Sequence, residues 1–515
     1  MMVVWKWLES TFENIRSKLN KLSFKKVIVI LFVLWFIIYI PATYFLSVGQ
    51  VDDLYAFYPE DAGPDKISYK DYEVVLSPNG TPDSVRDRYT INVSKSEELE
   101  FNWTAKDYDS PYHIGRVSVH YELDGEKGII RLREQHPESG VTTWKKEHTF
   151  KKEGTLKYYF RVDKNDISTF HRRASVILEG GNLYKDVRTG PPPLISFFFV
   201  VPTLFTPSVA LGGAYLSFTL FFSIFVLIDT FIINYMFKNE KKSNSILLSL
   251  MFLLNPITIS NIHQDESIIA FTLLIPLYFL IKNREKVSSF FTGIFLLVKF
   301  WTVFLLPLFL LNKKKKIVSK LKNISIIAGT AMIGLFGFVL LYGEKVLWFL
   351  RFYSGTAEKT NVTRLSFWPH WLDVFGMVDA TPPTALISLM IGIVFLFIFY
   401  FSMRKDWGHM KTITLYLLIF FAFYPKIHWS YFIILFPFLF YYGASELKYF
   451  LIDLGVIFIM YLMMIVASSP FSFSDLEFAL LTTVLSALLL FNGGLIILND
   501  RGEMLTFNRK ENTGV

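Results

Sequence analysis

Residues 166–199 read DISTFHRRASVILEGGNLYKDVRTGPPPLISFFF. Nowhere else do carboxylates, guanidiniums, paired glycines and a proline run crowd together directly before a long apolar region. Ile167, Phe170, Ala174, Ile177 and Leu178 recur at helical spacing on one face, which predicts a short amphipathic helix. His171, Arg172, Arg173 and Glu179 lie off that face. Asp166 stands where an N-cap is expected. Gly180 and Gly181 end the helix, because glycine accepts the left-handed C-terminal position. The three prolines 191–193 forbid a further helix before Leu194. A helix of this kind beside hydrocarbon is expected to lie in the membrane interface, with Asp166 and Asp186 just outside the bilayer.

The composition around this stretch decides the class. Of 515 residues, 52% are hydrophobic and 53 are Phe, which is too apolar for a soluble chain of this size. Many windows reach the roughly 20 apolar residues that a bilayer crossing needs. The expectation is a polytopic α-helical membrane protein of about 11 spans plus a re-entrant hairpin, with an inserted exterior β-sandwich domain. The net charge of +8 comes from lysines clustered at helix ends, as the positive-inside rule describes, rather than from nucleic-acid binding. There is no cysteine, hence no disulfide framework and no thiolate metal site.

Residues 1–48 read as a cytoplasmic amphipathic lead, basic at Lys6, Arg16, Lys18 and Lys21, followed by a first span at 27–47. That span is too long for a signal-peptide core and is expected to be a retained anchor. Residues 50–162 change character. About seven short alternating runs, clearest at Leu99, Phe101 and Trp103, with a hairpin signal at Asp124-Gly125, predict the β-sandwich. Sequons at Asn79, Asn92 and Asn102 agree with an exterior surface. Residues 163–208 form the exterior juxtamembrane segment, including a short apolar piece at 194–205. Residues 209–498 form the multi-span domain, with spans expected at 209–235, 246–262, 268–281, 324–341, 385–401, 413–424, 431–444, 450–466 and 479–498. Residues 290–311 either cross once or fold back as two short helices with Lys299 near the apex. The hairpin is preferred because it leaves the lysine run 313–316 cytoplasmic. Residues 499–515 are a cytoplasmic tail. No fixed-period repeat is present.

This topology groups the exterior ionisable residues: Asp166, Arg172, Arg173, Lys185, Asp186 and Arg188; then His263, Gln264, Asp265 and Glu266; then Arg351, Arg364, Trp368, His370 and Asp373; then Lys426, His428, Trp429 and Tyr431. Ionisable groups at membrane depth point to function. Each also has a structural reading. Asp166 can be a helix cap, the arginines can face lipid headgroups, and residues 263–266 can be a polar turn. Lys299, alone in an apolar stretch, needs a partner or water.

The order Asp-x-x-x-Phe … Gly-Gly-x-Leu-Tyr-Lys-Asp-Val … Pro-Pro-Leu at 166–194 resembles the first exterior loop of GT-C-type membrane glycosyltransferases that use polyprenyl-phosphate sugars, such as dolichyl-phosphate-mannose mannosyltransferases. Asn255-Pro256 … His263-Gln264-Asp265-Glu266, with Gly293, Lys299 and Pro307 downstream, is similar to a second pattern of such enzymes. Lys426-Ile427-His428-Trp429-Ser430-Tyr431 … Pro437 is a looser third. The chain departs from the family in placing residues 50–162 before the acidic motif, which makes Asp52 and Asp53 rivals to Asp166, and in having His263 where glycine is usual. The resemblance implies inverting transfer of a hexose such as mannose to a glycolipid, lipid-linked glycan or protein acceptor at the outer face of the cell membrane. It implies Asp166 as general base, with Asp186 orienting the acceptor or sharing that role. Arg172, Arg173, Lys299, His263 and His428 become candidates for stabilising the leaving phosphate, and Lys185, Arg188, Gln264 and Asp265 further substrate contacts. No cofactor or metal is expected. A transporter or flippase of lipid-linked glycans is the alternative from another class, and a surface adhesion protein using the sandwich a third.

Overall fold

The computed structural model describes residues 2–53, 66–69, 72–75, 89–106, 114–135, 141–164, 166–187, 189–206, 211–238, 242–311, 313, 315–351, 365, 367–375, 384–468 and 475–499. Arg188, Arg364 and the sequon at Asn79 lie outside these. Contacts divide the chain into two units. One comprises Thr43–Phe221 and Leu335–Thr360, the other Met1–Ala42, Phe222–Gly334 and Asn361–Val515.

Helices α1 (Met2–Asn20) and α2 (Phe24–Asp53) open the chain. Nine strands follow among the described residues: β1 (Lys66–Tyr69), β2 (Tyr72–Val75), β3 (Tyr89–Val93), β4 (Glu98–Lys106), β5 (Ile114–Leu123), β6 (Glu126–Arg131), β7 (Arg133–Gln135), β8 (Val141–Thr149) and β9 (Gly154–Lys164). They form two antiparallel sheets, ordered β2-β1-β4-β8-β7 and β3-β9-β5-β6. The expected hairpin joins β5 to β6. Asp124 and Gly125 have φ of 47° and 88°, and two central residues at positive φ give the turn whose twist matches a two-residue hairpin. The alternation at Leu99 and Phe101 buries both side chains. The Phe101 ring meets Tyr158 of the other sheet at 5.5 Å, and Tyr121 of β5 meets Phe150, just after β8, at 5.3 Å.

The amphipathic helix of residues 166–178 is α3 (Asp166–Leu178). Its apolar face is buried at Ile167, Phe170 and Ala174, while Leu178 is exposed. Phe170 stacks on Phe199 at 4.3 Å. The end is as the sequence suggests. Gly180 has φ 71°, Gly181 N donates to Val176 O at 2.8 Å and Gly180 N to Ile177 O at 3.1 Å, which is the Schellman arrangement. Two expectations need correction. Asp166 is the first helical residue rather than the cap before it. Of the arginines that could face headgroups, Arg173 is instead buried in protein, as is His171 nearby; α3 packs against β5, α4 and α5.

Short helices α4 (Leu194–Phe198) and α5 (Val200–Leu204) lead to α6 (Leu211–Phe237), α7 (Lys242–Leu253), α8 (Pro256–Ser260), α9 (Glu266–Ile281) and α10 (Glu285–Phe295). After a 3-10 helix, Phe300–Leu310, come α11 (Ile317–Tyr342), α12 (Trp348–Arg351), α13 (Phe367–Val374), α14 (Thr384–Lys405), α15 (His409–Phe423), α16 (Phe432–Gly443), α17 (Leu447–Ser468) and α18 (Asp475–Leu498). Among the described residues, seven helices are long and apolar enough to cross a membrane: Phe24–Leu46, Ala214–Phe237, Lys242–Ser260, Ile317–Tyr342, Ala385–Lys405, Leu447–Ile465 and Leu476–Leu498. The chain is therefore a polytopic helical membrane protein. Their outward surface is apolar, with Ile333 75% and Leu396 68% exposed, and lipid is the natural solvent for such a face. The crossings expected at 268–281, 413–424 and 431–444 correspond to α9, α15 and Trp429–Gly443, apolar helices of only 10–17 residues.

Residues 285–310 form two short helices rather than one continuous helix. The 11-residue α10 and the 11-residue 3-10 helix reach about 16 Å and about 22 Å at their respective rises, short of the roughly 30 Å hydrocarbon core. The two pack against each other on either side of Lys299.

A buried polar knot ties α16, α17 and α18. Asn492 Nδ2 donates to Asp453 Oδ1 at 3.2 Å, and the other carboxyl oxygen lies where a side chain on Gly443 would begin. A Cβ there would meet Asp453 Oδ2 at 2.0 Å and Met251 Cε at 3.2 Å. Gly443→Ala is thus expected to destabilise the protein by about 1–3 kcal/mol through overpacking. Thermal unfolding in detergent checks this, and adding Asp453→Ala should give less than the sum of the two single losses.

Candidate functional site

The second pattern singled out above builds a site around a break in a helix. After Leu253, Asn255 turns extended (φ −66°, ψ 121°) and its side chain accepts from Ile257 N at 2.9 Å, so it ends α7 and caps α8. Pro256 stands at the start of α8, where its missing N–H costs nothing. The turn after α8 carries His263 and Gln264, both half-buried. Asp265 then stands at the N-cap of α9 without capping it; its carboxylate is used elsewhere.

That use is Lys299. The residue is extended (φ −154°, ψ 155°) between α10 and the 3-10 helix. Its Nζ lies 3.0 Å from Asp265 Oδ1 and 3.6 Å from Glu266 Oε1. Both carboxylates are almost fully buried and the lysine side chain is 17% exposed. Asp265 and Glu266 also sit at the N-terminus of α9, where the helix dipole favours anions. The third pattern supplies the rim. Tyr431 has Lys299 Nζ 5.9 Å from its ring centre, Trp301 at 5.6 Å and His428 at 5.4 Å. His428 is exposed and Lys426 half-buried. Burial lowers the Lys426 ammonium below its ordinary value.

The structure therefore brings together Asp265, Glu266, Lys299, Tyr431 and His428. Glu266, Tyr431 and Trp301 were not among the residues assigned a role from the sequence. The carboxylate pair Asp265-Glu266 beside a lone apolar-stretch lysine was the signal for Glu266; an aromatic neighbour of Lys299 has no sequence signal. The arrangement changes the reading of Lys299. Set between two carboxylates, it is already neutralised and does not stand as a spare cation for phosphate.

The acidic stretch lies in the other unit. Asp166 is half-buried at the start of α3. Within α3, His171 Nε2 is 3.2 Å from Thr206 O and Nδ1 3.3 Å from Ser175 Oγ. A proton on Nε2 satisfies both, with the serine hydroxyl donating to Nδ1. Burial, and then the like charge of Arg173, lowers the Arg172 guanidinium to about 9, so it stays cationic at neutral pH. Asp186 is exposed and engaged locally. Its Oδ2 accepts from Asn182 N at 2.6 Å and its own N donates to Asn182 O at 2.8 Å. Tyr184, at φ 83°, is held in the same loop by its hydroxyl, which donates to Pro191 O at 2.8 Å. Asp186 is a loop-closing residue here, and Lys185 beside it is exposed. The ends of α2 at Asp52 and Asp53 are helical. Among the described residues, no group of three or more His, Asp or Glu side chains gathers as metal ligands do.

The chain matches no protein-family model and no curated protein.

Removing the cation should expose how much the cluster depends on it. Lys299→Met leaves two buried carboxylates facing each other and is expected to cost about 3–5 kcal/mol. The triple variant Asp265→Asn, Glu266→Gln, Lys299→Met should recover most of that loss in a thermal melt. Equal melting of the single variant and the parent would show that the ion pairs carry no stability.

Proposed function

We propose that this chain is a membrane-embedded inverting glycosyltransferase that takes a hexose, such as mannose, from a polyprenyl-phosphate and gives it to a glycolipid, lipid-linked glycan or protein hydroxyl. One observation carries the reading. Two motifs linked only by resemblance, and more than a hundred residues apart, converge on Lys299: Asn255–Glu266 on one side and His428–Tyr431 on the other.

The chemistry needs few parts. The acceptor oxygen bonds to the anomeric carbon, the bond from that carbon to the phosphate oxygen breaks, and the stereocentre inverts. The acceptor proton passes to a carboxylate, for which Asp166 is the candidate. Asp186 is less suited, because its oxygen already accepts from Asn182 N. The leaving phosphate needs no acid, since its second pKa is about 6. It does need cations: Arg172 and Arg173 are the residues proposed for that charge in the unit that holds Asp166, and Lys426, His263 and His428 those in the unit of the Lys299 cluster, where Asp265, Glu266 and Lys299 are proposed to hydrogen-bond sugar hydroxyls. In this reading the two sheets are an exterior β-sandwich. The short apolar helices complete about eleven crossings, with residues 285–310 as a re-entrant hairpin.

A transporter of lipid-linked glycans is the second reading. It is favoured by the break between α7 and α8 next to an ion-paired cluster, since transporters build sites from discontinuous helices. The test is transfer of radiolabelled sugar from polyprenyl-phosphate-mannose, then -glucose, to a membrane lipid extract by purified protein and by Asp166→Asn. Product from the parent alone supports both class and base. Product from both keeps the enzyme and moves the base to another carboxylate. Product from neither, with labelled lipid-linked glycan crossing protein-containing vesicles, replaces the enzyme with the transporter.

A further inference from the structure

The sequence suggested that α3 lies in the membrane interface, yet His171 and Arg173 of its polar flank are buried in protein. Helix α1, too short of apolar residues to span, has an exposed apolar edge of its own. Around its axis, Leu8, Phe12, Arg16 and Leu19 share one arc at helical spacing, and Phe12 and Arg16 are buried. This arc packs on α7 and α17. Phe12 meets Phe450 at 5.5 Å, Arg16 Nη2 donates to Asn244 Oδ1 at 2.6 Å, and Lys242 Nζ donates to Asn20 O at 3.2 Å. The adjoining arc is different. Val4, Trp7 and Ile15, at the same spacing, are 59%, 64% and 46% exposed. The far side carries Lys6, Glu9, Glu13 and Ser17, all exposed.

Two facts say what covers the free edge. Only residues 21–23 separate α1 from α2, no more than about 14 Å of extended chain, and α2 begins a candidate span at Phe24. The start of that span is itself apolar and exposed at Phe24, Val29, Ile30 and Phe32. The apolar edge of α1 is thus held within one short tether of a lipid-facing surface. Tryptophan favours the headgroup level, and exposed Lys18, Lys21, Lys25 and Lys26 supply cations for lipid phosphates.

We propose that α1 is an interfacial helix seated at the headgroup–acyl boundary of the bilayer that α2 enters. Val4, Trp7 and Ile15 are immersed, the lysines meet lipid phosphates, and Phe12 and Arg16 fasten the helix to α7 and α17. This assignment does not depend on the proposed transferase activity.

The chain has no cysteine, so one introduced thiol labels uniquely. Ile15→Cys and Ser17→Cys lie two residues apart but about 200° apart around the helix. Each full-length variant would be spin-labelled and reconstituted in phosphatidylcholine–phosphatidylglycerol vesicles. Collisions with oxygen and with a water-soluble nickel chelate are then compared. The label at 15 should favour oxygen several-fold over the label at 17. Equal nickel access at both positions overturns the proposal, because the free edge would then be in water. Should Ile15→Cys not fold, Trp7→Cys and Val4→Cys carry the same comparison.

Discussion

A lysine inside an apolar helical unit is the constraint on which the local architecture turns. An ammonium removed from water costs several kcal/mol unless it is paired, so Lys299 must reach an anion within its own unit. It reaches Asp265 and Glu266. For that to happen the chain must stop being helical twice. It breaks at Asn255, which lets the turn at residues 261–264 bring α9 in with its acidic end first. It breaks again at Lys299, whose extended backbone separates α10 from the 3-10 helix. Neither break leaves the backbone orphaned: Asn255 caps α8 with its side chain, and Lys299 N donates to Phe295 O at 3.3 Å.

Two other buried cations of this unit obey the same rule by another means. Lys320 is buried and donates to Leu310 O at 2.6 Å, at the end of the 3-10 helix. Lys411 is buried and donates to Asn499 O at 3.2 Å, just past the end of α18. Helix C-termini offer unsatisfied carbonyls and the negative end of the dipole, so a lysine there needs no carboxylate. Glu285, in turn, takes Lys315 at 2.7 Å and Asn323 at 2.7 Å. The contrast isolates the Lys299 cluster. Among the described residues it is where two buried carboxylates meet one lysine beside an aromatic rim. A lysine already ion-paired suits hydrogen-bonding to hydroxyls better than binding phosphate, which is why the proposed roles separate the two tasks.

Positions that looked equivalent as residues divide by environment. Asp166 and Asp186 are both carboxylates flanking one amphipathic helix, yet Asp186 is consumed by its own loop. Arg172 and Arg173 are neighbours, but successive residues on α3 point 100° apart, and Arg173 is the more deeply buried. His171, read as a polar flank residue, is a packed histidine with both nitrogens engaged.

The sequence by itself determined the membrane class, the switch to strands after the first span, the Asp124-Gly125 hairpin, α3 with its glycine end, and the need of Lys299 for a partner. These follow from composition, periodicity and local turn chemistry, which act over a few residues and need no knowledge of neighbours. Tertiary structure alone decided which carboxylates Lys299 meets and that Tyr431 and Trp301 border it. It also decided that α1 keeps an exposed apolar edge. Those outcomes depend on contacts between segments distant in the chain, where burial and pairing assign each charge its partner, and no local pattern of residues encodes them.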